Sequence, residues 1–75
     1  MTLEELIAAV LDAPAAALTD ATSQSNLSNW SSMAHINLIM ALEETYGVSF
    51  TTEEIQAAKS IGDARRLLRA KGAAV

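Results

Sequence analysis

The sequence predicts an all-α fold of four helices, with a long first loop and a short third helix. Three observations carry that expectation. Apolar residues recur at helical spacing in separate segments of the chain. Thr2 with Glu5, Thr51 with Glu54 and Ser60 with Asp63 each have the spacing of a helix-opening capping box. The one stretch with strand character, "VSF" at residues 48 to 50, is too short to build a sheet.

The segment "TLEELIAAVLDA" sets Leu3, Leu6, Ile7, Val10 and Leu11 at i, i+3, i+4, i+7 and i+8, one face of an amphipathic helix. Pro14 biases the residue before it away from helical geometry, so this helix is expected to end near Ala13. From Pro14 to Ser31 the chain is rich in Ser, Thr, Asn and Asp, whose side chains compete for backbone hydrogen bonds and favour loops. Leu18, Leu27 and Trp30 are expected to pin that loop to the core. A second helix opens within "SNWSSMAHINLIMALEE" and ends near Tyr46, where Gly47 supplies the left-handed residue that closes helices. "TTEEIQAA" is long enough only for a short third helix. "SIGDARRLLRAKG" then places Ile61, Ala64, Leu67 and Leu68 on one face of the fourth.

A chain of 75 residues is expected to form one domain, residues 1–75, whose modest core leaves no room for the deep cleft most enzymes need. It has no cysteine, which removes disulfides and Cys-ligated metals. Glu4 and Glu5 stand where an export signal carries basic residues, and Asp12 and Pro14 interrupt the apolar run behind them. Nothing approaches the roughly 18 consecutive apolar residues of a membrane-spanning helix, so a cytoplasmic protein is expected. The net charge of −4 argues against nucleic acid and anionic membrane as partners. Arg65, Arg66, Arg69 and Lys71 gather late, where they complement the negative end of the last helix.

Projecting residues 33 to 46 at about 100° per residue groups Leu38, Leu42 and Tyr46 on one side and Met33, Ile36 and Met40 on nearly the other. Ile39 falls on the edge. A helix in a small domain needs one apolar face, so the second is either covered by another helix or presented to a partner. Methionine suits an adaptable surface and equally fills gaps in a core. At the start of this helix Ser31 is a good N-cap. That leaves Ser32 exposed in the first turn, where helix amides favour a phosphate group.

"WSSMAHINLIMALEETYGVSF" resembles the region around the modified serine of acyl carrier proteins and peptidyl carrier domains, which share a four-helix fold. The resemblance continues through "TTEEIQAAKSIGDARRLL" and takes in "TLEELIAAVLD", so it covers nearly the whole chain. In that family an Asp-Ser-Leu motif opens the second helix, and its serine receives 4′-phosphopantetheine from coenzyme A. Aligned through "LIMALEE", Ser32 takes the serine position, Ser31 the aspartate position and Met33 the leucine position. The resemblance implies a four-helix bundle of acyl-carrier-protein type, monomeric, with no catalytic residue and no metal. Its arm on Ser32 would hold an acyl or aminoacyl group as a thioester. The implied partners are a phosphopantetheinyl transferase, an acyl- or aminoacyl-activating ligase and downstream enzymes of fatty-acid, polyketide or nonribosomal-peptide biosynthesis. Ser31, Met33, Ile36, Asn37, Met40 and Glu44 would form the docking face.

The chain departs from the family pattern in two places. Ser31 keeps a helix cap but removes a carboxylate that a basic modifying enzyme would pair with, and the adjacent serines leave Ser31 as the alternative register. Ala34, His35 and Asn37 occupy turns that are acidic in fatty-acid carriers, leaving acid at Glu43 and Glu44. A specialised, free-standing carrier with a dedicated ligase is therefore expected. "NWSSMAHINLIMALEE" also resembles a Trp-Asp-Ser-Leu-Ala-His variant of small discrete carriers. The competing reading is an unmodified helical adaptor that binds a protein through Met33, Ile36 and Met40. A Ser32/His35 nucleophile pair lacks an orienting group and a cleft, and one histidine among scattered carboxylates has no metal-ligand spacing.

Overall fold

Four helices form in the expected order in a computed structural model describing residues 1–75. They are α1 (Leu3–Leu11), α2 (Ser32–Tyr46), α3 (Thr52–Ala57) and α4 (Ile61–Ala70), with one 3₁₀ turn at Ala15–Ala17. "VSF" forms no strand, and the sole β pairing is an isolated bridge between Ser23 and Ser60.

The capping chemistry read from the sequence sets most helix starts. At α1 the Glu5 amide donates to Thr2 Oγ1 at 3.1 Å and the Thr2 amide donates back to Glu5 Oε1 at 2.7 Å. Thr51 and Glu54 repeat this at α3. At α4 the box is half made: Ser60 Oγ accepts from the Asp63 amide at 3.1 Å, while the Asp63 carboxylate turns to Arg66. α1 stops at Leu11 rather than near Ala13, because Asp12 takes left-handed backbone (φ 54°) and its amide closes on the Ala8 carbonyl. Aspartate tolerates that conformation better than most side chains, so the helix ends before Pro14 exerts its effect. Gly47 (φ 65°) closes α2 in the expected way.

Leu3, Ile7 and Leu11 of α1, Leu38 and Leu42 of α2, and Ile61, Ala64 and Leu68 of α4 meet in one buried cluster, which Leu18 and Trp30 of the loop complete. α3 contributes no buried residue. Two expected core positions, Tyr46 and Leu67, are only partly buried, whereas Ile39 is inside. Tyr46 packs against the edge of the cluster that holds Leu38 and Leu42, and Ile39 is buried outside that cluster.

The long loop is ordered by α4 as well as by its own side chains. The first amides of a helix have no partner within it, and here the Ile61 amide donates to the Thr22 carbonyl at 3.0 Å and the Gly62 amide to the Asp20 carbonyl at 2.9 Å. A Cβ on Gly62 would lie 3.0 Å from that Asp20 oxygen, so a glycine permits the approach. Arg65 reaches across to Glu4 and, at 3.2 Å, to Asp20, tying α4 to α1 and the loop. Burial works against its charge, and the two carboxylates more than offset this, holding the guanidinium above its ordinary pKa. The late basic residues are therefore mostly ion-pair partners, and Arg69 alone of them lies in the last turn of α4.

Opposite sides of α2 should respond differently to mutation. Leu42, which is 0% exposed, should cost about 2 to 5 kcal/mol as Leu42→Ala. Met40, 55% exposed, should change stability by no more than about 0.5 kcal/mol as Met40→Glu. Urea unfolding of the two variants beside the parent checks both values.

Candidate functional site

The two serines at the start of α2 are not equivalent. Ser31 is the N-cap: its Oγ accepts from the Ala34 amide at 3.1 Å and its carbonyl from the His35 amide at 2.9 Å. Ser32 is the first helical residue, exposed, with its hydroxyl committed to no cap. The amides at this end have no preceding turn to bond. They leave a partial positive charge beside Ser32 although the first turn carries no acidic side chain to meet it.

Down the same helix, Met33 is 71%, Ile36 50% and Met40 55% exposed, and Asn37 and Glu44 are exposed beside them. Spacings of three and four residues make these side chains neighbours on one face. No other helix covers them, which answers the question left open by the helical projection. Glu43 accepts a hydrogen bond from the Phe50 amide at 2.9 Å, leaving Glu44 as the exposed acid of the helix.

Ser32 and Ile36 also line an open groove of about 530 Å³ between α2 and α3, walled further by Gln24, His35, Thr52, Ile55 and Gln56. Met33 and Met40 lie outside it. The sequence did not point to this groove, because its far wall comes from α3 and the loop and is assembled only by tertiary packing.

His35 is buried. The Trp30 indole Nε1–H donates to His35 Nδ1 at 3.0 Å, and His35 Nε2 lies 2.8 Å from the Ile55 carbonyl oxygen. An indole nitrogen only donates, so Nδ1 must accept; the ring proton therefore sits on Nε2 and is donated to Ile55. Both ring nitrogens are engaged in this way. His35 has no lone pair left with which to activate Ser32.

The α3 wall is fixed at its other side by charge. Glu54 Oε1 accepts from the Thr51 amide at 2.8 Å and from Lys71 Nζ at 2.9 Å, while the same ammonium sits 5.4 Å from the centre of the Phe50 ring. The Thr51 amide first, and Lys71 second, hold the Glu54 carboxyl below its ordinary value of 4.5.

Comparison with known proteins gives two findings. A family model described as "Phosphopantetheine attachment site" matches residues 2–68. Among solved structures, the chain is similar to the solution NMR structure of a holo acyl carrier protein from Geobacter metallireducens. The TM-score is 0.82 at 35% identity, over 92% of this chain and 79% of that one. No curated protein sequence matches.

The Glu54 geometry gives α3 a pH dependence of known sign. A carboxyl with a lowered folded pKa contributes stability that is fully present above the unfolded value, here about 4.5, and lost as the pH falls through the folded value. Glu54→Gln should therefore be less stable than the parent at pH 7, and the gap should narrow as the pH falls below 4.5 and through the lowered folded value. Urea midpoints measured across that range check the convergence.

Proposed function

The chain belongs to the phosphopantetheine-attachment family of carrier proteins, and from that membership we propose that it bears the arm on Ser32 and holds an acyl or aminoacyl group as a thioester. It is a carrier and not an enzyme, and its prosthetic group is phosphopantetheine. When bound, that group supplies a terminal thiol for the thioester, which a chain without cysteine cannot supply itself.

The observation that supports Ser32 is the division of labour between the serines. Ser31 is occupied by the Ala34 amide, and Ser32 is exposed and free to become one ester oxygen of a phosphodiester. The site suits such a group in other respects. The free amides at the head of α2 favour an esterified phosphate, and the groove beside Ser32 has polar Gln24, Thr52 and Gln56 among its walls, groups able to meet the amides of an arm. A tethered substrate reaches a partner's active site at raised effective concentration. In this reading residues 1–75 act as one carrier domain.

Met33, Ile36 and Met40 form the apolar centre of the docking face, with Ser31, Asn37 and Glu44 at its rim. The partners are a phosphopantetheinyl transferase, an acyl- or aminoacyl-activating ligase and the downstream enzymes of a specialised pathway. Scarce acid near Ser32 supports partners that recognise apolar shape rather than a negative helix. Ser31 in place of the family's aspartate favours one other reading, an unmodified adaptor that docks through the same face.

Intact-protein mass spectrometry separates the two. After incubation with coenzyme A and a broadly acting phosphopantetheinyl transferase, the parent should gain one phosphopantetheinyl group and Ser32→Ala none. Met40→Glu should be loaded about tenfold less efficiently with unchanged helicity, a loss in the range of one moderate interface residue. If transferases from several sources, including the native host, leave the parent mass unchanged, the adaptor reading replaces the carrier.

A further inference from the structure

α3 has no buried side chain, so polar contacts more than packing decide where it lies. At its C-terminal end the Lys59 amide turns to the Ala57 carbonyl at 2.9 Å instead of continuing the helix, and the Ile55 carbonyl loses the donor that an extra turn would give it. His35 Nε2–H, from α2, takes that place at 2.8 Å. The other ring nitrogen is fixed by Trp30, the last loop residue before the Ser31 cap. Three parts of the chain thus meet on one imidazole, and His35 and Ile55 both wall the groove that Ser32 borders.

We infer that His35 is a positioning residue for the carrier function: clamped between Trp30 Nε1–H and the Ile55 carbonyl, it fixes α3 as the far wall of the groove beside Ser32. An arm on Ser32 thereby meets a defined surface. Few side chains can do this. The site needs an acceptor facing the indole and a donor facing the carbonyl about one ring-width apart, which a neutral imidazole protonated on Nε2 supplies and an imidazolium or a phenyl ring does not. With either group unpaired, a buried donor or acceptor loses its hydrogen bond. The inference rests on Ser32 as the attachment point only in its consequence for the arm; the placement of α3 stands on the hydrogen bonds alone.

Two conservative variants divide the clamp. The amide nitrogen of His35→Gln falls near the Nε2 position and keeps the bond to Ile55, whereas the amide oxygen of His35→Asn falls near Nδ1 and keeps only the bond to Trp30. In the unmodified protein, amide hydrogen exchange of α3 should quicken about tenfold in His35→Asn, the effect of one lost hydrogen bond, and stay within about twofold of the parent in His35→Gln. Ring nitrogen NMR of the parent should show Nδ1 bare and Nε2 protonated. After loading with coenzyme A and transferase, verified by mass, the arm-dependent amide shifts at Thr52 and Gln56 should fall by about half or more in His35→Asn, persist in His35→Gln, and stay unchanged at Met33 in both.

An Nδ1-protonated ring in the parent overturns the inference, as do α3 exchange and arm-dependent shifts that are the same in both variants and the parent. Should His35→Asn fail to fold, His35→Phe takes its place: it fills the site but has no donor for the Ile55 carbonyl, and α3 exchange as slow as in the parent counts against the clamp. A mass that never increases refutes Ser32 as the attachment point, while ring NMR and exchange on the unmodified protein still decide what places α3.

Discussion

Burial of Leu38, Ile39 and Leu42 is the constraint from which the rest of the site follows. Leu38 and Leu42 join the core cluster beside Leu3, Ile7 and Leu68, Ile39 is buried on the same helix, and the 15 residues of the helix carry the consequence to the opposite side. α1 and α4 occupy the inner side, and α3 is too short and too peripheral to cover the outer one. Met33, Ile36 and Met40 are left in solvent because the fold has no helix left to place over them. An exposed apolar face of this kind suits the docking role proposed for it, and it begins one residue after the free serine.

The loop before α2 links that surface to the core. Trp30 buries its indole in the cluster and spends its N–H on His35, and the next residue caps α2. The same loop gives the Asp20 and Thr22 carbonyls to α4. Ser32 is thus held from both directions, through the helix it begins and through the tryptophan that precedes its cap. In the proposed reading this mount fixes where an arm on Ser32 begins as successive partners engage it, and preorganisation lowers the cost of each encounter. The α3 wall is mounted differently, by a histidine clamp, a capping box and the Lys71–Glu54 pair.

Features coded by local spacing were legible in the sequence. The stripes of α1 and α4, the Thr2 and Thr51 caps, the Gly47 stop and the separation of Met33, Ile36 and Met40 from Leu38 and Leu42 depend on residues a few positions apart, and the structure has them. What the sequence hid depends on distant residues meeting. The role of His35 emerges only when Trp30 and Ile55 are placed against it, and that of Gly62 only when the Asp20 carbonyl lies on it. The left-handed Asp12 shortened α1 because a local choice overrode the signal from Pro14, and Asp63 left its capping box because Arg66 competed for the carboxylate. The groove beside Ser32 has no counterpart in any single stretch of the chain.

The capped Ser31 and the free Ser32 are the distinction on which the account turns. Fragmentation mass spectrometry of a peptide spanning both serines, taken from the loaded protein, reads it directly. The arm should map to Ser32 alone, with Ser31 unmodified at every loading level. An arm on Ser31, or one shared between the two, would mean that the cap does not hold Ser31 in place and would contradict the account.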